Sequence, residues 1–158
     1  MSTRDIETEC VTAGVLKLPL EFMANGLLRL KVLMAQKILL VEDNTDLSDF
    51  LSLYLHSLGY ETSRAGTSAQ EISKALAEVP DLIITDLNLP DMTGVDAAVI
   101  LKQDPTTSGI PILVLTAATV GEWKNKALNA GVTEYLIKPI SALELARVVR
   151  RLTRLAEF

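Results

Sequence analysis

Between Lys37 and Leu155 the chain alternates two rhythms of apolar and polar positions. Apolar runs of strand length stand at KILLVED (37–43), LIITD (82–86), IPILVLTA (110–117) and EYLIK (134–138). A weaker strand is expected over Tyr60–Arg64. Between them, apolar residues recur every three or four positions, the spacing of a helix with one buried face. In 46–59 that face is Leu47, Phe50, Leu51, Tyr54, Leu55 and Leu58, with Gly59 as the stop. In SAQEISKALAEV, Ser68 and Glu71 read as a capping box, and Ala69, Ile72, Leu76 and Val79 as the inward face. Gly94–Lys102 turns Val95, Ala98 and Leu101 inward. Glu122–Ala130 is stopped by Gly131. Ser141 and Glu144 open a last helix with Leu145, Val148, Val149 and Leu152 inward.

These are five strand–helix units. Strands apolar on both faces require cover on both sides, which predicts an α/β fold: a doubly wound, five-stranded parallel sheet. In such sheets, side chains that bind or react collect beyond the carboxyl ends of the strands, where the strand order reverses. With the order 2-1-3-4-5 that point lies between strands 1 and 3. Glu42 and Asp43 end strand 1, Asp86 ends strand 3, Thr116 ends strand 4 and Lys138 ends strand 5.

The chemistry of that set is phosphoryl chemistry. Two carboxylates at 4 Å repel by ~4 kcal/mol at an effective dielectric of 20. A divalent cation relieves this, and oxygen ligands suit Mg2+. A lysine and a threonine hydroxyl add donors for phosphoryl oxygens, and a carboxylate can serve as nucleophile.

The segments KILLVEDN, DLIITDLNLPDMTG, ILVLTA and YLIKPI, in that order and separation, resemble the receiver domain of two-component response regulators. This is the phospho-aspartate switch shared with the chemotaxis regulator, and it has a flavodoxin-like fold. The resemblance covers 37 to about 154. It implies that Asp86 is the phosphoacceptor and that Asp43 ligates Mg2+ directly. Glu42 would act through water, and Asn88 would supply a backbone carbonyl. Thr116 and Lys138 would hold the phosphoryl oxygens. Tyr135 would be the aromatic whose rotation follows Thr116, and the Lys138–Pro139 bond would be cis. Leu87, Leu89 and Ala118 stand where family members vary and modulate phosphoryl lifetime. The implied activity is limited to the domain's own phosphoryl transfer and autodephosphorylation. The implied partners are a histidine kinase or phosphotransfer protein, and a protein target on the face of the fourth helix, fifth strand and fifth helix.

Two other readings are weaker. A phosphatase of the haloacid-dehalogenase type would want a second Asp two residues after Asp86, where Asn88 stands. A scaffold receiver without phosphorylation would not need the intact acid–threonine–lysine set. His56, the sole histidine, reads as a surface residue, and Arg147, Arg150, Arg151 and Arg154 as a solvated basic face.

Composition narrows the setting. The chain has 158 residues, 49% hydrophobic and 22% charged, with a net charge of −5. The acidic balance leads to the expectation of no nucleic-acid partner. The single cysteine, Cys10, and the absence of a signal-peptide pattern suit the cytoplasm. In the apolar stretch 15–34, Lys17, Glu21, Arg29 and Lys31 argue against a membrane span. Charge is balanced over 1–36, which reads as a poorly ordered extension from an early start, with the receiver over 37–158. No effector pattern follows the receiver, so output through another protein is expected.

Overall fold

A computed structural model describes residues 35–118 and 121–155. The expectation for the extension falls on residues outside these, apart from Ala35 and Gln36. Five strands, β1 (Lys37–Val41), β2 (Glu61–Ala65), β3 (Leu82–Thr85), β4 (Ile112–Thr116) and β5 (Glu134–Ile137), form one parallel sheet in the order 2-1-3-4-5. They alternate with α1 (Thr45–Ser57), α2 (Ser68–Glu78), α3 (Gly94–Gln103), α4 (Gly121–Asn129) and α5 (Ala142–Leu155).

Alternation along each strand sorts the core into two layers. Leu39, Val41, Ile83, Ile112 and Val114 face α2, α3 and α4 through Ala75, Ala98, Leu101 and Ala127. Ile38, Leu40, Leu82, Ile84, Leu113 and Leu115 face α1 and α5 through Leu51, Leu55, Leu145, Val149 and Leu152. β1, β3 and β4 are covered on both sides, which explains their unbroken apolar runs. β2 is an edge strand, and its mixed sequence ETSRA is mostly not buried.

Four local expectations need correction. β2 lies one residue later than expected, at Glu61–Ala65, because Tyr60 still closes on α1 through its N–H to the Leu55 carbonyl. The cap of α2 is Thr67, whose hydroxyl accepts from Gln70 N–H, and not Ser68. The inward face of α2 is accordingly Ser68, Glu71 and Ala75. Leu76 and Val79 are exposed, and Val79 sits in the left-handed region at φ 45° as the helix ends. Phe50 on α1 is 61% exposed, since α1 buries a narrow stripe at Ser48, Leu51 and Leu55. No helix of the described residues is long and apolar enough to cross a membrane.

Sheet register then positions the site. Val41 pairs with Thr85, Thr85 with Val114, and Thr116 with Ile137. Glu42 and Asp86 each follow a member of the first pair, and Lys138 follows Ile137.

Candidate functional site

The strand ends bring Glu42, Asp86, Thr116 and Lys138 into hydrogen-bonding contact. Thr116 donates its hydroxyl to Asp86 Oδ1 at 2.8 Å, and Asn88 donates its main-chain N–H to the same oxygen at 3.0 Å. Lys138 Nζ donates to Asp86 Oδ2 at 3.0 Å and to Glu42 Oε2 at 2.8 Å. The other Glu42 oxygen accepts from Asn44 N–H at 3.2 Å. Glu42 and Asp86 are 8% and 7% exposed.

Burial alone would lower the pKa of the Lys138 ammonium. The hydrogen bonds and charges of Glu42 and Asp86 outweigh it and hold that pKa above the ordinary lysine value. The Lys138–Pro139 peptide bond is cis, and Lys138 N–H donates to the Thr116 carbonyl at 2.8 Å, tying the ends of β4 and β5.

The loop after Asp86 is held at close quarters. Asn88 forms an isolated antiparallel bridge with Thr93, and Gly94 N–H donates to the Leu87 carbonyl at 3.1 Å. A Cβ at Gly94 would lie 2.5 Å from the Asp86 carbonyl oxygen, so only glycine lets α3 start this near the acid.

Tyr135 lies inward, 8% exposed, and donates its hydroxyl to the Ala118 carbonyl at 3.0 Å. Burial, then the Asp86 charge, pushes its phenol pKa up. Ala118 N–H donates in turn to the Thr116 hydroxyl oxygen at 3.3 Å. Tyr135 is thus linked to Asp86 through Ala118 and Thr116.

Asp43, expected beside these groups, is exposed. Among the described residues no three His, Cys, Asp or Glu side chains are already arranged around a metal. Lys138 bridges Glu42 and Asp86. The donor chemistry still fits a hard cation. Glu42, Asp43 and Asp86 are all oxygen donors, and Glu42 and Asp86 set two carboxylates against the single Lys138 ammonium.

His56 is exposed, with Nε2 3.0 Å from the Thr62 hydroxyl. Of the four arginines, Arg151 pairs with Glu134 at 2.7 Å, and all four are exposed on α5. Sequence reasoning missed Glu71 and Asp91. Glu71 is fully buried under Thr85. Asp91 accepts from the main-chain N–H groups of Ser68 and Ala69, both at 2.8 Å. The Ser-x-x-Glu spacing pointed to a cap and hid the first. Nothing local marks the second, because its partners lie more than twenty residues earlier.

The fold and this cluster place the chain among phosphoryl-accepting switches of the chemotaxis-regulator kind. The chemotaxis response regulator CheY4 of Vibrio cholerae is 30% identical, with a TM-score of 0.71, covering 75% of this chain and 99% of that one. The receiver domain of the sensor histidine kinase PA1611 from Pseudomonas aeruginosa, solved with a magnesium ion in its active-site cleft, is 31% identical at a TM-score of 0.71. It covers 77% of this chain and 99% of that one. The chain belongs to the response regulator receiver domain family, which matches residues 38–150.

Longer relatives carry the same region. The DNA-binding response regulator MtrA of Mycobacterium leprae is 38% identical over 122 residues, 77% of this chain and 53% of that protein. The DNA-binding dual master transcriptional regulator RpaA of Synechocystis is 34% identical over 118 residues, 75% of this chain and 49% of that protein. The chain thus spans about half the length of the curated relatives it matches. These names correct the expectation of no nucleic-acid partner. Net charge reports only on the residues counted, so an acidic receiver carries no information about the rest of such a protein or its output.

Proposed function

We propose that Asp86 accepts the phosphoryl group and that Thr116 and Lys138 hold it. The observation that supports this most is the division of donors on Asp86, with Thr116 on one carboxylate oxygen and Lys138 on the other. In the transfer, an Asp86 oxygen forms a bond to the phosphorus of a phosphohistidine on a histidine kinase or phosphotransfer protein. The phosphorus–nitrogen bond breaks, and its electron pair leaves with the imidazole. Lys138 and Thr116 lie where negative charge on the phosphoryl oxygens needs donors. Autodephosphorylation is the same site's reaction with water.

Asp43, Asp86 and the Asn88 carbonyl would hold Mg2+, with Glu42 acting through water. The ion's contribution when bound is to neutralise phosphoryl charge. We assign the receiver to 37–158, leave 1–36 as an extension and place the chain in the cytoplasm. Output passes through the face of α4, β5 and α5, to which Tyr135 is linked. The names of the MtrA and RpaA relatives favour gene control as the destination of the signal.

Incubation with acetyl phosphate and Mg2+, followed by intact mass, tests the central assignment. The wild-type chain should gain one phosphoryl group and Asp86→Asn none. Equal labelling of the two would overturn it.

A further inference from the structure

One buried acid lies outside this scheme. Glu71, in the first turns of α2, is 0% exposed, and among the described residues no partner reaches its Oε1. Its Oε2 lies 3.2 Å from the Thr85 hydroxyl. That hydroxyl is also 3.3 Å from the main-chain carbonyl oxygen of Asp86. A hydroxyl has one proton and two acceptors within reach here, so it can serve only one of them at a time.

The surroundings say which form of Glu71 belongs here. α2 packs against β1, β2 and α3, and the core there is Leu39, Val41, Ala65 and Ala98. The charged groups on those elements are engaged elsewhere. Lys37 and Glu61 pair in register at the amino ends of their strands, whereas Thr85 aligns with Val41 at the other end. Arg64 pairs with Asp49. Asp96 accepts from the Thr93 hydroxyl, and Lys102 donates to the carbonyls of Ser108 and Ile110. On α2 itself, Lys74 donates to the Arg64 carbonyl and Glu78 accepts from Ser63. Among the described residues no cation faces Glu71. Asp91, which fastens the start of α2 to the loop after Asp86, adds negative charge. Burial first, and Asp91 in addition, raise the carboxyl to about 8 against a lowering by Thr85. The native form is therefore the neutral acid.

We propose that Glu71 is a positioning residue for phosphoryl transfer at Asp86. As a neutral acid it donates to the Thr85 oxygen, and the Thr85 proton is then free for the Asp86 carbonyl. Ionised Glu71 can only accept. It draws the Thr85 proton to itself and releases that carbonyl. With Gly94 packed on the same carbonyl, the hydrogen bond sets how the phosphoacceptor's backbone is held. The protonation of a residue that never meets the phosphoryl group thereby tunes the reaction. The role rests on the assignment of Asp86 as phosphoacceptor.

The test follows the amide nitrogen shift of Leu87, which reports on the Asp86 carbonyl bonded to it, as pH rises from about 6 to about 10. In the wild-type chain it should titrate with a midpoint near 8. It should not titrate in Glu71→Gln, whose amide always donates, nor in Thr85→Val, which has no proton to redirect. The acetyl phosphate labelling rate should fall several-fold over the same range in wild type and stay level in Glu71→Gln. A Leu87 shift that is flat in wild type, or that titrates equally in Glu71→Gln, overturns the proposal whatever happens at Asp86. A shift that titrates as expected in a chain gaining no phosphoryl mass at any pH overturns the Asp86 assignment, and the positioning role falls with it.

Discussion

The crevice at Asp86 and the pocket at Glu71 lie on either side of Thr85 and treat a buried carboxyl group in opposite ways. At Asp86 every oxygen has a donor, and Lys138 supplies a full countercharge shared with Glu42. At Glu71 one oxygen faces a hydroxyl, and among the described residues the other has no partner and no cation is near. Both groups are almost completely covered. The difference lies in the partners: burial raises the Glu71 carboxyl with no cation among the described residues to offset it, whereas Asp86 meets Lys138 and Thr116. One acid is set among donors and a cation, the other against a hydroxyl and an apolar wall.

The largest effect on phosphoryl labelling should come from removing the cation of the first region. Lys138→Ala leaves Glu42 and Asp86 facing each other without a countercharge. It should abolish acetyl phosphate labelling and lower stability by up to ~3 kcal/mol, a value held down because a fifth of the lysine side chain is exposed. Urea unfolding and intact mass measure the two effects. Full labelling of the variant would erase the distinction between the regions.

Next comes the pH dependence of the second region. The folded pKa of Glu71 lies above its ordinary value of 4.5, at about 8. Between those values the native state holds a proton that the unfolded chain has released, so stability falls as pH rises, and the loss is complete above about 8. Glu71→Gln cannot ionise. Between about pH 5 and about pH 9 it should lose less stability than wild type by several kcal/mol, at ~1.4 kcal/mol per pH unit across the titrating range. Parallel denaturation curves at both pH values would show that Glu71 does not ionise as the pocket demands.

A smaller effect divides the acids of the first region. Asp43 is exposed and faces no cation, whereas Glu42 is tied to Lys138 and Asn44. Asp43→Ala should weaken Mg2+ binding roughly tenfold or more, about 1.4 kcal/mol, and Glu42→Gln clearly less. Titration followed by Trp123 fluorescence or by amide shifts compares them. Equal losses would contradict direct ligation by one and action through water by the other.

The smallest effect should come from the extension. Asp86, Glu71 and the partners described for them lie within residues 35–155. A chain starting at Met34 should therefore show the same labelling rate and the same Glu71-dependent loss of stability with pH. A shift in either would show that residues 1–33 act on the receiver.

How much of this could be read before folding follows from the range of each interaction. Strand and helix periods, the glycine stops at Gly59 and Gly131, and the Ser141 cap of α5 depend on residues a few positions apart. The sequence by itself determined them, and with them the sheet's class and the strand ends where chemistry collects. It also supplied the acid–threonine–lysine set, because strand ends are legible from apolar runs.

Tertiary structure decided what each acid does. Lys138 reaches Glu42 across 96 positions and Asp86 across 52, while Asp43, next to Glu42 in sequence, is exposed. Thr67 took the cap that local spacing gave to Ser68. Glu71, read as a capping partner, turned inward beneath Thr85, 14 positions away. Local spacing sees a carboxylate near helix N–H groups, whereas the charge state depends on which cation, hydroxyl or apolar wall the fold brings to it.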